Sequence, residues 1–420
     1  MKAEEVGQTR SVRSVLGPGL VTGAADDDPS GIGTYSQVGA QFGYQMAWTM
    51  PFAFPLLAAI QEICARVGAV TGRGIAQNLR RHYPRWLLRT VVLLLLVANM
   101  INLGADLGAM GAVMGLILPG PVLTYTVGFA VVSVLLEVLV SYDRYAGILK
   151  WATLSLFAYV GVLLFAEVDW AAAAQGAFVP RFAMEQAQLM ALVAVFGTTI
   201  SPYLFFWQAG QEVEEQHRRH VKPLHASPRT AGAELRRIRV DTLVGMGFSH
   251  LVALAIMIAT AATLHQKGIT DIASAADAAV ALRPIAGDAA FALFAMGIIG
   301  TGLLAVPILA GSAAYAVSET FGWTEGLGRR PKEAKAFYAV IAIATLGGTA
   351  INFVDIDPMR ALYVAAVVNG VLAPPLMIVL MLMATNPRVM GHLTISRRLA
   401  AMGWIAAAVM IGVVLMFALA

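Results

Sequence analysis

Long apolar runs separated by short polar connections make up most of this chain, and the first run is interrupted in its middle by Asp26-Asp27-Asp28-Pro29-Ser30-Gly31. The runs lie near residues 16–41, 45–68, 88–117, 121–140, 146–166, 187–211, 240–264, 288–318, 336–354, 360–383 and 399–419. Each approaches or exceeds the roughly 20 apolar residues a helix needs to cross a bilayer. The pattern therefore predicts an all-α integral membrane protein with eleven transmembrane helices. The basic residues test that number. With the N-terminus in the cytoplasm, 25 of the 29 Lys and Arg fall on inner connections, and only Arg181, Lys267, Arg283 and Arg360 fall on outer ones. That split follows the positive-inside rule. It predicts a multi-pass protein of the cell (inner) membrane, with a cytoplasmic N-terminus and the C-terminus outside.

Two runs carry matching interruptions. The first breaks at Asp28-Pro29-Ser30-Gly31-Ile32-Gly33, the sixth at Gly197-Thr198-Thr199-Ile200-Ser201-Pro202-Tyr203. Proline removes an intrahelical hydrogen bond and glycine loosens what remains. The freed backbone groups must then meet protein, water or a ligand. Five spans separate the breaks, so the sixth span is expected to be the counterpart of the first. The expected architecture is a LeuT-type 5+5 inverted repeat with a midplane site between broken helices 1 and 6. Its parts are a tail over 1–15, repeats over 16–168 and 187–383, and an eleventh helix over 399–419.

Composition agrees and narrows the classes. Hydrophobic residues are 58% of the chain and charged ones 13%, against roughly 25% charged in a soluble domain. The pI near 9.2 reports the topology of the connections and no nucleic-acid partner. Cys64 is the sole cysteine, which excludes an intrachain disulfide and a cysteine zinc site. The first apolar run lacks a cleavage-type tail, so no cleavable signal peptide is expected. No phosphate loop, nucleophile elbow or metalloprotease helix is present, and His250 and His265 are isolated, which argues against an intramembrane enzyme and against any bound cofactor.

The acids at the first break carry the chemistry. A single ionised carboxylate at the bilayer centre costs roughly 2.5–3.5 kcal/mol on insertion scales. Three in succession point about 100° apart in a regular helix, so they fit a broken helix facing a polar cavity that holds a cation. An organic-cation or amino-acid transporter on the same scaffold is the rival reading. Anionic and zwitterionic substrates favour exposed half-helix amides, and three carboxylates oppose them.

At these residues the chain resembles the NRAMP family of divalent-metal transporters. Gly17-Pro18-Gly19 opens the first span, Asp28-Pro29 breaks it, and Val38-Gly39-Ala40-Gln41-Phe42-Gly43-Tyr44 closes it; Ala65-Arg66-Val67-Gly68-Ala69-Val70-Thr71-Gly72 is similar to the close of the family's second span. The family's break reads Asp-Pro-Gly-Asn where this chain has Asp28-Pro29-Ser30-Gly31, so the aspartate stays and the asparagine ligand is gone. The family's Met-Pro-His in span six is replaced by Ser201-Pro202-Tyr203, which removes the thioether and the histidine. These departures resemble a divergent branch associated with magnesium transport. The resemblance implies Asp28 as direct metal ligand, Thr198 where the family offers a backbone carbonyl, and Ser201 in place of the thioether. Asp27 is a further candidate ligand or vestibule acid, and Gly31 is expected to enlarge the cavity.

Ligand chemistry points the same way. A thioether suits soft or borderline metals and does nothing for Mg2+, which wants hard oxygens and gives up its water reluctantly. Asp28, with hydroxyls from Thr198, Thr199 and Ser201 and carbonyls from the unwound segments, suits a partly hydrated Mg2+ and tolerates Mn2+. The family's proton path uses the span-six histidine and acids of span three. Tyr203 stands at that histidine, and a phenol with a pKa of about 10 is a poor relay at neutral pH. Asp106, near Asn102, resembles one acid of the path, and the incomplete set implies weak or no proton coupling. A proton-coupled Mn2+/Fe2+ importer is the alternative. Asn369 in span ten is a candidate second-shell oxygen or a helix–helix hydrogen bonder. Glu137 is read as a paired or snorkelling acid, and Gln211–Arg239, with His217 and His220, as a solvated loop.

Overall fold

The computed structural model describes residues 17–140, 156–354 and 356–420. The expected tail over 1–15, and residues 146–155 of the expected fifth span, lie outside the described residues. In chain order the main helices are α1 (Pro18–Asp26), α2 (Pro29–Phe42), α3 (Thr49–Thr71), α4 (Ile75–His82), α5 (Arg85–Gly115), α6 (Val122–Leu139), α7 (Phe157–Phe165), α8 (Trp170–Phe178), α9 (Gln186–Thr199), α10 (Pro202–Arg218), α11 (Pro228–Thr263), α12 (Ala290–Phe321), α13 (Lys335–Ala350), α14 (Pro358–Ala384) and α15 (Arg397–Leu419). Among the described residues there is no strand. Nine of the expected spans are long apolar helices, with α9 and α10 together forming the sixth. The first is divided between α1 and α2.

The breaks are shorter than the sequence predicts. In span one only Asp27 and Asp28 leave the helix, and in span six only Ile200 and Ser201 do. The reason is proline at the first helical position. Its fixed φ suits a helix start, and the amide proton it lacks has no intrahelical partner there anyway. Pro29 and Pro202 therefore restart their helices at once, carrying Ser30 to Gly33 into α2 and Tyr203 into α10.

The expected solvated loop over 211–239 is also corrected. α10 runs on to Arg218, and α11 begins at Pro228. Ion pairs hold this region together. Arg237 contacts Glu212 at 2.7 Å and Glu234 at 2.7 Å, and Arg219 contacts Glu234 at 2.8 Å. Glu212 is buried, which leaves it in contact with Arg237 rather than water.

Packing sets the breaks in the middle of the bundle. α1 lies along α11; α2 is wedged among α11, α14 and α9; α9 packs on α14; and α5 touches α6, α12, α13 and α14. The α9–α10 pair and α3 are mostly buried, whereas α6 and α15 expose most of their apolar surface, as lipid-facing helices do. α1 and α11 meet backbone to backbone. A Cβ on Gly23 or on Gly245 would overlap the other helix, so only glycine permits this approach. One carboxylate then fixes the start of α1. Asp241 of α11 accepts the amides of Gly17 (2.8 Å), Gly19 (2.7 Å) and Leu20 (3.2 Å). A helix's first amides have no intrahelical acceptor, and a negative charge there also meets the positive end of its dipole.

This anchoring is testable. Replacing a cap residue typically removes about 1 kcal/mol, and about 1.4 kcal/mol is tenfold in an equilibrium. Asp241→Ala should speed modification of a cysteine placed at Leu20 roughly fivefold, measured with a membrane-impermeant thiol reagent. Unchanged labelling would show that α1 is held elsewhere.

Candidate cation site

The two breaks meet at Asp28. Its backbone is extended and its carboxylate caps α2, Oδ1 accepting the Gly31 amide at 2.7 Å. Gly31 contributes that amide. A Cβ there would lie 3.1 Å from the Asp26 carbonyl, 3.3 Å from the Tyr35 ring and 3.4 Å from Thr198 Oγ1, so the missing side chain does keep space between the two breaks. The second carboxylate oxygen of Asp28 lies 3.0 Å from Asn102 Nδ2 and 3.2 Å from the Tyr203 hydroxyl, which both point donors at it.

From Asn102 the polar contacts continue. Its Nδ2 also lies 3.3 Å from Asp106 Oδ2, and its Oδ1 accepts from Asn369 Nδ2 at 3.1 Å. Asp106 Oδ1 accepts the Ser30 amide at 3.2 Å, so a second carboxylate faces the first turn of α2. The structure thus gathers Asp28, Asp106, Tyr203 and Asn369 from four helices into one chain of hydrogen bonds. Asn102 is the joint between the two acids, and the sequence reading noted it without giving it a role. Gln61 was missed altogether. It is fully buried on α3, and neither of its amide atoms has a hydrogen-bond partner. The adjacent polar pair Gln61-Glu62 within α3 was the available signal.

Other candidates sit differently from expectation. The Ser201 hydroxyl donates to the carbonyls of Thr198 (2.7 Å) and Gly197 (3.0 Å). The Thr199 hydroxyl turns back in the same way to the Val195 carbonyl at 2.9 Å. Asp27 joins Asp26 at Ser249 of α11, whose hydroxyl lies 2.6 Å from Asp26 Oδ2 and 3.2 Å from Asp27 Oδ1. One hydroxyl has one proton, so it serves one of these carboxylates at a time. Asp26 Oδ1 and Asp27 Oδ2 have no partner. Glu137, read as a paired or snorkelling acid, is buried with both carboxylate oxygens unpartnered.

Asp26, Asp27, Asp28 and Asp106 are all buried, and among the described residues none forms an ion pair with Lys, Arg or His. Nor do three or more acidic, histidine or cysteine side chains converge as a metal cluster among the described residues. A cation here would take one or two carboxylates and then hydroxyls, carbonyls and water.

Cavities lie toward both ends of the centre. Toward the start of α1 a cavity of about 630 Å³ is lined by Glu214, His217, Tyr315, Glu319 and Glu325. Burial, with Glu319 and Glu214 nearby, pushes the Glu325 carboxyl up to about 9, so it is protonated and adds no charge to that cavity at neutral pH. At the other end a cavity of about 410 Å³ is lined by Gln37, Gln41, Asp271, Arg360 and Tyr363. Gln37 accepts the Ile272 amide at 2.9 Å, and Arg360 approaches Asp271 at 3.8 Å. These contacts strap the loop after α11 across α2 and α14.

Comparison with known proteins agrees with this architecture. The family model described as natural resistance-associated macrophage protein-like (Nramp) matches residues 19–420. A divalent metal cation transporter MntH of Klebsiella pneumoniae is 26% identical, over 97% of this chain and 95% of the relative. The crystal structure of the Eremococcus coleocola manganese transporter, solved with an aromatic bis-isothiourea compound, superposes with a TM-score of 0.76 at 15% identity. It covers 99% of this chain and 90% of that one. Inward-facing Mhp1 superposes with a TM-score of 0.57 at 14% identity, covering 96% and 90%. The LeuT-type fold expected from the paired breaks is the fold observed.

Titrating the purified protein with Mn2+ in a calorimeter ranks the roles. Asp28→Ala should weaken binding at least about a hundredfold, as loss of a charged ligand implies. Asn102→Ala should weaken it roughly tenfold by removing a charge-assisted hydrogen bond from both acids. Asn369→Ala, which acts only through Asn102, should have the smallest effect. Equal losses in all three would contradict this ranking.

Proposed function

The chain belongs to the Nramp family, and from that premise we propose that this divalent metal cation transporter carries Mg2+, with Mn2+ as a second substrate, into the cell with little or no proton coupling. Membership of a transporter family bears out the reading as a transporter rather than an enzyme; the metal is the cargo and no cofactor is called for. The observation that carries the substrate reading is the donor set at the breaks. It is oxygen throughout: Asp28, the Thr198 carbonyl with the Ser201 hydroxyl upon it, and the Tyr203 phenol. No thioether takes the Ser201 position, and hard oxygens suit Mg2+ and Mn2+ over Fe2+ and Zn2+. The names of the relatives, a divalent metal transporter and a manganese transporter, support keeping Mn2+ in the range.

Asp28 is the primary ligand in this reading. Thr198 contributes its carbonyl, Ser201 its oxygen in place of a thioether, and Gly31 the space for a hydrated ion. Asp27 serves the approach of the ion, since its carboxylate is turned toward Ser249. Tyr203 and Asp106 stand in the Asp28 network as hydrogen-bonding groups and not as a proton relay. With the N-terminus cytoplasmic, an inside-negative potential of 100 mV supplies about 4.6 kcal/mol for a divalent ion, at roughly 2.3 per charge. That suffices for uptake without a coupled proton.

Liposomes under an inside-negative potential test these statements together. Mg2+ and Mn2+ influx should exceed Fe2+ influx, Asp28→Ala should abolish all three, and a pH dye inside the vesicles should record no proton entry that scales with Mg2+. Fe2+ influx without Mg2+ influx would end the magnesium reading, and proton entry proportional to Mg2+ entry would end the uncoupled one.

A further inference from the structure

We infer that the hydroxyls of Ser201 and Tyr203 set ion selectivity by covering the two backbone carbonyls that the prolines release, so that the site receives an ion with most of its inner water shell in place. The inference rests on the divalent-cation reading of this centre and adds which residues discriminate between ions, and how.

In an α-helix the carbonyl of residue i accepts from the amide of residue i+4. Pro29 and Pro202 have no amide proton, so the orphaned carbonyls are those of Ala25 and Thr198. The Ala25 carbonyl meets Tyr203 of the other break, and a bare carbonyl at either break would be a ready ligand for a dehydrated cation. Neither is bare. The Tyr203 hydroxyl lies 3.1 Å from the Ala25 carbonyl, and the Ser201 hydroxyl shares its one proton between the Thr198 carbonyl at 2.7 Å, the nearer, and the Gly197 carbonyl at 3.0 Å. Tyr203 reaches across from the second break to the first, while Ser201 closes its own. All four residues are buried.

A covered carbonyl has spent one of its two lone pairs on a hydroxyl proton, which weakens it as a metal ligand. The hydroxyl that covers it has its proton committed and presents only lone pairs to the cavity. Water bound to a cation offers only hydrogens to its surroundings, so it needs such acceptors. A centre lined by Asp28, Ser201 Oγ and Tyr203 Oη therefore receives a hydrated ion better than a stripped one. Mg2+ keeps several waters where it can. Mn2+ accepts the same hard oxygens without Mg2+'s reluctance to dehydrate, and so profits more from bare carbonyls.

Tyr203 adds a dependence on occupancy. It has one proton and two acceptors, the Ala25 carbonyl at 3.1 Å and Asp28 Oδ2 at 3.2 Å. An ion on Asp28 engages the carboxylate and repels a donor there, which drives the proton to Ala25. The carbonyl is thus covered most fully when an ion is present to compete for it.

The test uses full-length protein in liposomes and hexaamminecobalt(III), which has the size and shape of hexahydrated Mg2+ but does not exchange its ligands. It should compete with Mg2+ influx in the wild type. Ser201→Ala and Tyr203→Phe each uncover one carbonyl. Each should raise the Mn2+ to Mg2+ influx ratio about fivefold, the scale of one ordinary hydrogen bond, and weaken hexaamminecobalt competition by a similar factor. Ser201→Thr, which keeps the hydroxyl, should hold the ion ratio and the competition closer to wild type than Ser201→Ala does. Wild-type Mg2+ influx that hexaamminecobalt leaves untouched overturns the inference, and that arm needs no variant to fold. So do variants whose ion ratio and competition match wild type. Wild-type protein that moves neither Mg2+ nor Mn2+ overturns the cation reading itself, and this inference with it.

Discussion

Two missing amide protons organise the centre of this protein. Pro29 and Pro202 cannot return a hydrogen bond to the carbonyl four residues back, and in a membrane interior there is little water to take the place of that bond. The chain answers locally, with Asp28 capping the helix that Pro29 restarts and the Ser201 hydroxyl on the carbonyl that Pro202 releases. It also answers across the bundle, with Tyr203 beside the Ala25 carbonyl. Because each proline sits at a helix start, the second half-helix resumes at once after each break. The site is therefore built on two short breaks flanked by helix.

The same geometry creates an unbalanced charge. Asp28 and Asp106 both face the first turn of α2 and share the Asn102 amide. Their partners are neutral donors, and among the described residues no Lys, Arg or His pairs with them. Hydrogen bonds orient the carboxylates but cannot neutralise them, and a buried charge is stable only when paired or coordinated. In the proposed reading, a divalent cation resting against Asp28 supplies that balance. The straps at both ends, Asp241 on the first turn of α1 and Gln37 and Arg360 on the opposite loop, enclose the centre so that its weak dielectric screening is kept.

Much of this was legible in the sequence because it rests on local signals. Apolar runs of bilayer length marked the long helices, and Asp28-Pro29 with Ser201-Pro202 marked both breaks. What stayed illegible was long-range or directional. Nothing local says that Asp241 caps a helix more than two hundred residues earlier, or that Ser249 serves both Asp26 and Asp27. The direction of a hydroxyl proton is set by the backbone it finds, so the carbonyls that take the Ser201 and Thr199 protons were not legible from residue type. The region from 211 to 239 looked solvated because its charges were counted singly. Paired, as in Arg237 with Glu212 and Glu234, they extend two helices.

The central claim is that a divalent ion rests against Asp28 between the two breaks, held by oxygen alone. X-ray absorption at the manganese edge, on protein loaded with one equivalent of Mn2+, tests it most directly. The account predicts a six-coordinate, all-oxygen first shell that reverts to the spectrum of free hydrated Mn2+ in Asp28→Ala. A sulfur or imidazole scatterer in the first shell, or an unchanged spectrum in the variant, would contradict it.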